Sequence, residues 1–321
     1  MALRVGFVAN RDESFQRDVI EAINRRKKCG VFAEYCQIPE IVAGGHTPYR
    51  VIVDRLSPIV GYFRHYLKVA ALSDCYVINN PFRDVSERFF CNAVVKAYDD
   101  IPLPKTLALP SKTWNDPSLG RNVHIETSDL GNLVYPLDWE GIVAHIGFPA
   151  VLKSATKIGR QPVYKVGNFP ELMQIYNRSD HQVMMLQEFI PPEVTLRCFV
   201  LGKTHVLCLR YDAANERYSD DLSTIDAALV EQARENARKI NVALDHDMNC
   251  TEFAVHGGVP YAIDLVDLFL DISPERLPTE AYRWITTKLA DVVIDYACSD
   301  TRNQGLHLPL PPLDAALSRS V

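Results

Sequence analysis

The stretch "TEFAVHGGVPYAIDLVDLFLD" spans residues 251–271 and places an apolar run on each side of a His-Gly-Gly turn. The first run carries Glu252 and the second carries Asp264, with Asp267 and Asp271 beyond it. A carboxylate inside a buried strand is unfavourable unless a cation or hydrogen bonds compensate it. The stretch therefore predicts a β-hairpin whose carboxylates have a positively charged partner.

Composition indicates an ordinary soluble globular protein. The chain has 321 residues, 47% of them hydrophobic and 23% charged, with a net charge of −6. This charge gives no reason to expect nucleic acid or an acidic membrane as a partner. The beginning, "MALRVGFVAN" (1–10), reads as a strand rather than a leader, and no apolar segment approaches the roughly 18 residues of a membrane span. The eight cysteines form no CxxC pair, which favours reduced thiols in a cytoplasmic protein.

The order of helix and strand signals predicts an α/β chain with an α+β C-terminal part. Strands alternate with helices over 1–105, which indicates a parallel sheet, but no GxGxxG follows the first strand. Residues 106–190 contain two strands joined by a polar turn together with helices. Residues 191–303 contain antiparallel strands interrupted by one helix. A proline-rich tail, 304–321, is expected to be weakly ordered.

Two strand ends carry polar residues. Lys153 ends the apolar run "FPAVLK" (148–153), where a lysine either serves a ligand or reaches out to water. The run "VMMLQEFIPP" (183–192) ends in Gln187 and Glu188 before two prolines. This pattern suits a hinge that offers backbone groups and a carboxylate to a flat polar ligand. A solvated glutamate at a strand end is the alternative.

A second hairpin, "TLRCFVLGKTHVLCLRYD" (195–212), carries Arg197 near its start and Arg210 near its end. Antiparallel pairing about the Gly-Lys turn predicts that these arginines come close together. Like charges on adjacent strands repel unless an anion lies between them, and the arginine fork suits phosphate or carboxylate. The alternative is a pair of surface arginines bound to Asp212 and Glu193.

The carboxylates of the opening stretch have two possible partners as well. A hairpin can place Glu252 and Asp264 on one face, where their oxygens suit Mg²⁺ that bridges phosphates. Asp267 or Asp271 would then add a further oxygen. Alternatively, the two carboxylates pair with Arg197, Arg210 or a nearby lysine.

The order of these signals is more specific than any one of them. A strand ending in lysine, a Gln-Glu strand, an Arg…Arg hairpin and a Glu…Asp hairpin together resemble the ATP-grasp superfamily, and in particular glutathione synthetase and the ribosomal-protein glutamate ligases. The resemblance covers residues from about 50 to 275. It includes "FRDVSERFF" (82–90) and "DDIPLPKT" (99–106), which are similar to segments of that group.

The resemblance implies a three-part fold, with a preliminary parallel α/β domain (1–105), a lid (106–190) and a C-terminal subdomain (191–303). It implies an ATP-dependent carboxylate–amine ligase that forms an acyl phosphate, with ATP and Mg²⁺ as cofactors and small-molecule or peptide carboxylates and amines as substrates. Phosphate and acyl phosphate would face Arg88, Lys153, Arg197 and Arg210. Adenine and ribose would contact Gln187, Glu188, Phe189, Ile190 and Glu193. The metal ligands would be Glu252, Asp264 and Asp267.

Departures from the family pattern raise a second hypothesis. Arg88 stands at a phosphate-binding lysine position, and the flap "SATKIGRQPVYKV" (154–166) has Gly159 as its only glycine, with Lys157 and Arg160 as possible substitutes. Val266 stands where the family has a metal-binding asparagine.

Asp267, the remaining candidate for this metal ligand, lies one residue after the position of the family's asparagine. In an extended strand it would face away from the site, unless a bulge intervenes. The chain is thus either a ligase or a degenerate ATP-grasp protein that binds nucleotide or a partner as a regulatory subunit. The helix "YFRHYLKVAAL" (62–72) could also serve a homodimer.

Overall fold

The computed structural model describes residues 3–10, 14–83, 86–98, 100–114, 125–126, 128, 131–157, 161–267, 270 and 272–299. By internal contacts the chain divides into two compact units. One comprises Met1–Asp84 with Thr286–Val321, and the other is Val85–Ile285. The described part contains no helix long and apolar enough to cross a membrane. All eight cysteines lie within it, and each is a thiol rather than half of a disulfide.

The helices, in chain order, are α1 (Ser14–Arg26), α2 (Gly61–Leu72), α3 (Arg88–Tyr98), α4 (Trp139–Ile146), α5 (Phe169–Tyr176), α6 (Ala227–Leu244) and α7 (Thr279–Cys298). The strands are β1 (Leu3–Val8), β2 (Val31–Tyr35), β3 (Val51–Asp54), β4 (Tyr76–Ile78), β5 (Thr106–Leu109), β6 (Thr113–Trp114), β7 (Ile125–Glu126), β8 (Ala150–Ser154), β9 (Val163–Val166), β10 (Met184–Glu188), β11 (Val194–Leu201), β12 (His205–Asp212), β13 (Arg217–Ser219), β14 (Met248–His256) and β15 (Val259–Asp264).

The first unit is built on a parallel sheet of order β2-β1-β3-β4, as the alternation of strands and helices predicts. Its strands are mostly apolar because helices cover a parallel sheet, and the charged Arg4 on β1 and Glu34 on β2 pair with each other. Val5, Ile52 and Leu67 are fully buried in it. The second half of α7 belongs to the same unit, where Arg26 pairs with Asp291 at 2.8 Å.

The second unit contains a sheet of order β5-β10-β8-β9, which we call the lid sheet, in which the neighbouring strands are antiparallel. Together with α4 and α5 it encloses a core of its own that includes Leu109, Leu152 and Leu172. The two strands joined by a polar turn, predicted after Phe148, are β8 and β9. Residues 158–160 of that turn, including Gly159 and Arg160, lie outside the described residues.

The other sheet of this unit has the order β13-β12-β11-β14-β15 and is antiparallel throughout. The predicted His-Gly-Gly turn joins β14 and β15. His256 pairs with Val259, and the two residues between them, Gly257 and Gly258, have φ of 56° and 74°. A two-residue hairpin loop with both φ values positive favours glycine, because other residues rarely adopt this conformation.

Helix α3 belongs with this second sheet rather than with the first unit. Cys91 and Val95 on α3 share one buried core with Ala237 and Ile240 on α6. The contact division therefore falls at 84/85, whereas the sequence placed a boundary at 105/106. Sequence signals alone assigned α3 to the preceding α/β alternation, because they do not show which apolar face receives a helix. The predicted tail, 304–321, lies outside the described residues.

Candidate active site

Lys153 is buried at the site where the lid sheet and the second sheet meet. It lies on β8 with only 5% of its surface exposed, and its Nζ donates to the Ile263 carbonyl oxygen on β15 at 3.1 Å. Burial lowers the pKa of Lys153 to about 8, against the attraction of Asp264, which raises it. The reading in which this lysine reaches out to water is therefore wrong.

Arg88 lies beside Lys153 at the beginning of α3. Its backbone N–H donates to the Ala155 carbonyl oxygen at 2.7 Å, and its Nη1 donates to the Ser154 carbonyl oxygen at 3.3 Å. The side chain is 9% exposed, and its Nε meets no hydrogen-bond acceptor among the described residues. A buried guanidinium with an unused donor is a favourable contact for an anion.

Lys157 supplies a third cation from the start of the flap. Its Nζ lies 2.9 Å from Asp264 Oδ2, 2.9 Å from the Val266 carbonyl oxygen and 4.0 Å from Asp267 Oδ1. Burial by itself would raise the pKa of Asp264, but the charges of Lys157 and Lys153 outweigh it and lower the pKa to about 2. Asp264 is thus held as a carboxylate.

Glu252 and Asp264 share one face of the β14–β15 hairpin, as the sequence predicts. They are direct cross-strand partners, and the register shifts between Glu252 and Phe253. Their counter-charges differ, however. Glu252 Oε2 is 2.6 Å from Arg197 Nη2, whereas Asp264 contacts Lys157. The structure therefore shows the ion-paired alternative for both carboxylates.

Arg197 and Arg210 point to opposite faces of the sheet. Arg197 is opposite Leu209, whereas Arg210 is opposite Leu196, and successive residues of a strand alternate between faces. The prediction that the two arginines jointly hold an anion is therefore wrong. The sequence placed both near the hairpin ends but did not fix the register by one residue, and one residue decides the face.

Two tyrosines that sequence reasoning missed complete the surroundings of Arg197. The guanidinium carbon lies 3.7 Å from the centre of the Tyr211 ring, and Nη1 donates to Tyr218 Oη at 2.9 Å. Burial by itself would lower the pKa of Arg197, but the Glu252 carboxylate and Tyr218 outweigh it and raise the pKa. The available signal was the position of Tyr211 in the strand, on the same face as Leu209.

Asp267 approaches the site although strand alternation predicted that it would face away. Strand β15 ends at Asp264, so the alternation rule does not reach residue 267. The backbone N–H of Asp267 donates to Asn249 Oδ1 at 3.0 Å. Val266, by contrast, is 5% exposed and packs in the apolar core beneath the sheet. Asp271 lies outside the described residues.

The predicted adenine-binding strand β10 has its first polar groups engaged within the lid. Gln187 is 2% exposed, and its Nε2 donates to Thr106 Oγ1 at 3.1 Å. Glu188 Oε2 accepts from the Lys105 backbone N–H at 3.1 Å. The two polar side chains thus fasten β10 to the start of β5.

The residues after β10, predicted to form a hinge, also contact groups of the chain itself. The Phe189 N–H donates to the Pro149 carbonyl oxygen at 3.3 Å, and the Lys165 Nζ lies 3.8 Å from the centre of the Phe189 ring. Ile190 is 8% exposed. Glu193 Oε1 accepts from the Gly257 N–H at 3.0 Å, so this predicted ribose ligand binds the β14–β15 turn.

A small cavity lies between Arg88, Lys153, Asp264 and Val266. Its volume of about 10 Å³ suits a single water molecule rather than a nucleotide. The charged side chains that line it are Arg88, Lys153 and Asp264, and Lys157 contacts both Asp264 and Asp267 next to it. Positive charges outnumber negative ones, so the arrangement attracts an anion, which would enter only if the surrounding side chains moved apart.

The donor set does not fit a divalent cation in this arrangement. Mg²⁺ requires several oxygen ligands at short distances, but the Lys157 ammonium already contacts Asp264, and Arg197 holds Glu252. Among the residues that the structure describes, no group of three or more His, Cys, Asp or Glu side chains converges on one point. The metal-binding role of these carboxylates therefore stays a prediction.

Comparison with known proteins agrees with this architecture. A RimK-domain ATP-grasp protein from Sphaerobacter thermophilus is 20% identical, with 92% of this chain and 100% of that chain covered and a TM-score of 0.60. VanG D-Ala:D-Ser ligase from Enterococcus faecalis is 12% identical, with 92% and 100% covered and a TM-score of 0.63. The ATP-grasp ligase PsnB, complexed with its minimal precursor, Mg and ADP, is 13% identical, with 92% and 98% covered and a TM-score of 0.58.

Comparison of the sequence alone finds no match that corresponds to these structural similarities. No family model matches the chain, and no curated protein matches it. The structural similarities by themselves show that the chain has the ATP-grasp fold, which confirms the fold that the family resemblance implied.

Proposed function

We propose that this chain is an ATP-dependent carboxylate–amine ligase that acts on a small-molecule or peptide substrate. The observation that carries the proposal is that Arg88 and Lys153 line one small cavity beside Asp264, and that a third cation, Lys157, contacts the same Asp264. Burying three cations together is unfavourable unless an anion balances them, and a triphosphate provides that charge. The ligases with the same fold support the choice of reaction.

The proposed reaction transfers the γ-phosphoryl group of ATP and then joins carboxylate to amine. A substrate carboxylate oxygen attacks the γ-phosphorus, the bond to ADP breaks, and an acyl phosphate forms. An amine nitrogen then attacks the acyl carbon, phosphate leaves, and the nitrogen loses a proton. Arg88 and Lys153 would donate to the phosphate oxygens, whose charge they stabilise during transfer.

The other predicted ligand residues take supporting roles in this proposal. Adenine would lie against the hinge of Phe189 and Ile190, with Gln187 and Glu188 holding the hinge to β5 rather than the base itself. Arg210 lies exposed on the face opposite Arg197 and Glu252, so this proposal gives it no contact with the ATP phosphates. Peptide and small carboxylates are equally compatible with these positions.

A nucleotide-binding protein without catalysis is the second candidate. The observation that favours it is the pairing of the predicted metal ligands with side chains of the chain itself, Glu252 with Arg197 and Asp264 with Lys157. A protein of this kind would still bind ATP through Arg88 and Lys153. It would act as a regulatory or partner-binding subunit.

Two measurements separate the candidates. The purified protein is incubated with ATP and pools of amino acids and short peptides, and ADP and ligated product are measured. Thermal unfolding is followed with and without ATP. A ligand at a hundredfold excess over its Kd stabilises the folded protein by about 3 kcal/mol. Lys153→Met is the variant that removes the proposed phosphate contact.

Each outcome has a distinct meaning. Product formation that disappears in Lys153→Met supports the ligase. Stabilisation by ATP without product in any pool supports the second candidate. If ATP changes neither the unfolding temperature nor the product level, the nucleotide site itself is wrong.

A further inference from the structure

We propose that the ammonium of Lys157 is a built-in cation that takes the place of a divalent metal ion on Asp264. The site would then bind nucleotide phosphate without needing a divalent ion at this position. This inference rests on the proposed nucleotide site, and it assigns a specific role to a residue of the flap.

The contacts of Lys157 are those of a cation in an oxygen cradle. Its Nζ is 2.9 Å from both Asp264 Oδ2 and the Val266 carbonyl oxygen, and 4.0 Å from Asp267 Oδ1. The side chain is 14% exposed, so water screens these contacts only weakly. Carboxylate and carbonyl oxygens are also the donors that hard metal ions prefer, which makes the ammonium a substitute for such an ion.

The backbone fixes the position from which Lys157 reaches the cradle. Its N–H donates to the Ser86 carbonyl oxygen at 2.7 Å, and the preceding Thr156 forms a β-bridge with Glu87. These contacts hold the first flap residues against the beginning of α3. A cation that is tethered in place loses less entropy when it meets a phosphate than a free ion would.

Apart from the oxygens that Lys157 now contacts, the predicted metal-ligand positions offer little to a metal ion. Val266 has an apolar side chain that is buried in the core, and Arg197 binds the Glu252 carboxylate. A magnesium ion at about 2.1 Å from the Asp264 oxygen would be close to the ammonium, and the two charges would repel each other. The nearby Arg88, whose Nε contacts no acceptor in the described part of the chain, adds to the positive charge facing any phosphate.

The chain offers a matched control for removing such a lysine. Lys203 also lies between two aspartates, with Nζ 2.5 Å from Asp245 Oδ1 and 3.7 Å from Asp247 Oδ1. It follows β11, at the end of the sheet where Leu201 pairs with Met248, and it does not line the cavity of Lys153. Lys203→Met therefore makes the same change of charge away from the proposed phosphate site.

The first experiment measures ATP binding by calorimetry, in EDTA and in excess Mg²⁺, for the wild type, Lys157→Met and Lys203→Met. We expect wild type and Lys203→Met to have nearly equal affinities in the two buffers. In Lys157→Met, affinity in EDTA should fall by roughly tenfold or more, as expected for one lost charge-assisted contact, and Mg²⁺ should restore it. Equal dependence on Mg²⁺ in wild type and Lys157→Met would overturn the proposal.

The second experiment needs no nucleotide. Binding of Mn²⁺ alone is followed by electron paramagnetic resonance for wild type, Lys157→Gln and Lys157→Gln with Asp264→Asn. The glutamine keeps a polar amide at this position while it removes the charge, so it serves as a second variant should Lys157→Met fail to fold. We expect a bound ion in Lys157→Gln alone.

The two experiments also separate failure of this inference from failure of the proposed function. If no form of the protein binds ATP, the proposed function is wrong, and the Mn²⁺ measurement alone decides the role of Lys157. A bound Mn²⁺ in the wild type, or none in Lys157→Gln, would overturn the inference even if ATP binds well.

Discussion

Arg197 and Glu252 lie directly opposite each other on β11 and β14, and Arg197 Nη2 is 2.6 Å from Glu252 Oε2. The family resemblance implied different tasks for these two residues, one at a reaction intermediate and the other at a metal ion, whereas the residues alone left an ion pair between them as the alternative. In the folded chain they neutralise each other, and Tyr211 and Tyr218 surround the guanidinium. This ion pair accordingly has a structural role before any ligand binds.

Removing either partner of this pair should destabilise the protein. Arg197→Met leaves the Glu252 carboxylate largely buried without its counter-charge, and we expect a loss of about 2–3 kcal/mol in the free energy of unfolding. The exposed Arg210 is the control, because Arg210→Met should change this free energy by less than about 0.5 kcal/mol. Urea unfolding measures both variants, and equal effects would show that the pair contributes nothing particular.

Lys153→Met should separate binding from stability. Burial has already lowered the pKa of Lys153 to about 8, which shows that the environment disfavours its charge. Replacing a desolvated lysine by methionine of similar length should leave the free energy of unfolding unchanged or raise it slightly. Stabilisation by ATP should disappear, because the proposed phosphate contact is gone. Thermal unfolding with and without ATP checks this, and retained stabilisation by ATP would exclude Lys153 from the site.

Val266→Asn should not recreate a metal site. The side chain of Val266 packs in the apolar core at the wall of the small cavity, so an asparagine there would lose apolar contacts and bury a polar amide. We expect the free energy of unfolding to fall by about 1–3 kcal/mol, with no gain in Mn²⁺ affinity. Urea unfolding and Mn²⁺ titration test the two parts. A variant that keeps wild-type stability and binds Mn²⁺ would show that the side chain can turn toward Asp264.

His246 should make stability depend on pH. It is 1% exposed, and burial lowers its pKa to about 4. The unfolded chain, with a histidine pKa near 6.5, then binds more protons than the folded chain between about pH 6.5 and pH 4. Stability should therefore fall as the pH falls through this window, by about 3 kcal/mol over its full width.

The control for this pH dependence is His246→Gln, which cannot take up the proton. Urea unfolding at pH 7 and near pH 4.5 is compared for the two proteins. Groups other than His246 titrate in both, so only the difference between the two slopes counts. Identical slopes would show that His246 is protonated in the folded chain or accessible to water.

The elements of the fold were largely accessible to sequence reasoning because their signals are local. Alternating strands and helices predicted the parallel sheet of the first unit, and the Gly257-Gly258 turn marked the β14–β15 hairpin. The assignment of α3 was not accessible. Its apolar residues show that one face is buried, but only its packing on α6 shows where.

The candidate site divides in the same way. Residue types and their order indicated Lys153, Glu252 and Asp264 as members of one charged site, since apolar strands do not tolerate isolated charges. The sequence did not show which of these charged residues pair with each other. A one-residue difference in register separates Arg197 from Arg210, and the end of β15 at Asp264 frees the following residues from strand alternation.

The sequence by itself determined the order of strands and helices and the charged residues that they carry, because hydrophobic periodicity and the cost of burying charge act locally. Only the tertiary structure decided which cation meets which carboxylate. That choice depends on register and on the path of the flap, which bring Lys157 to Asp264 across more than a hundred residues of chain. Coulomb energy depends on distance in space, and distance along the sequence does not reveal it.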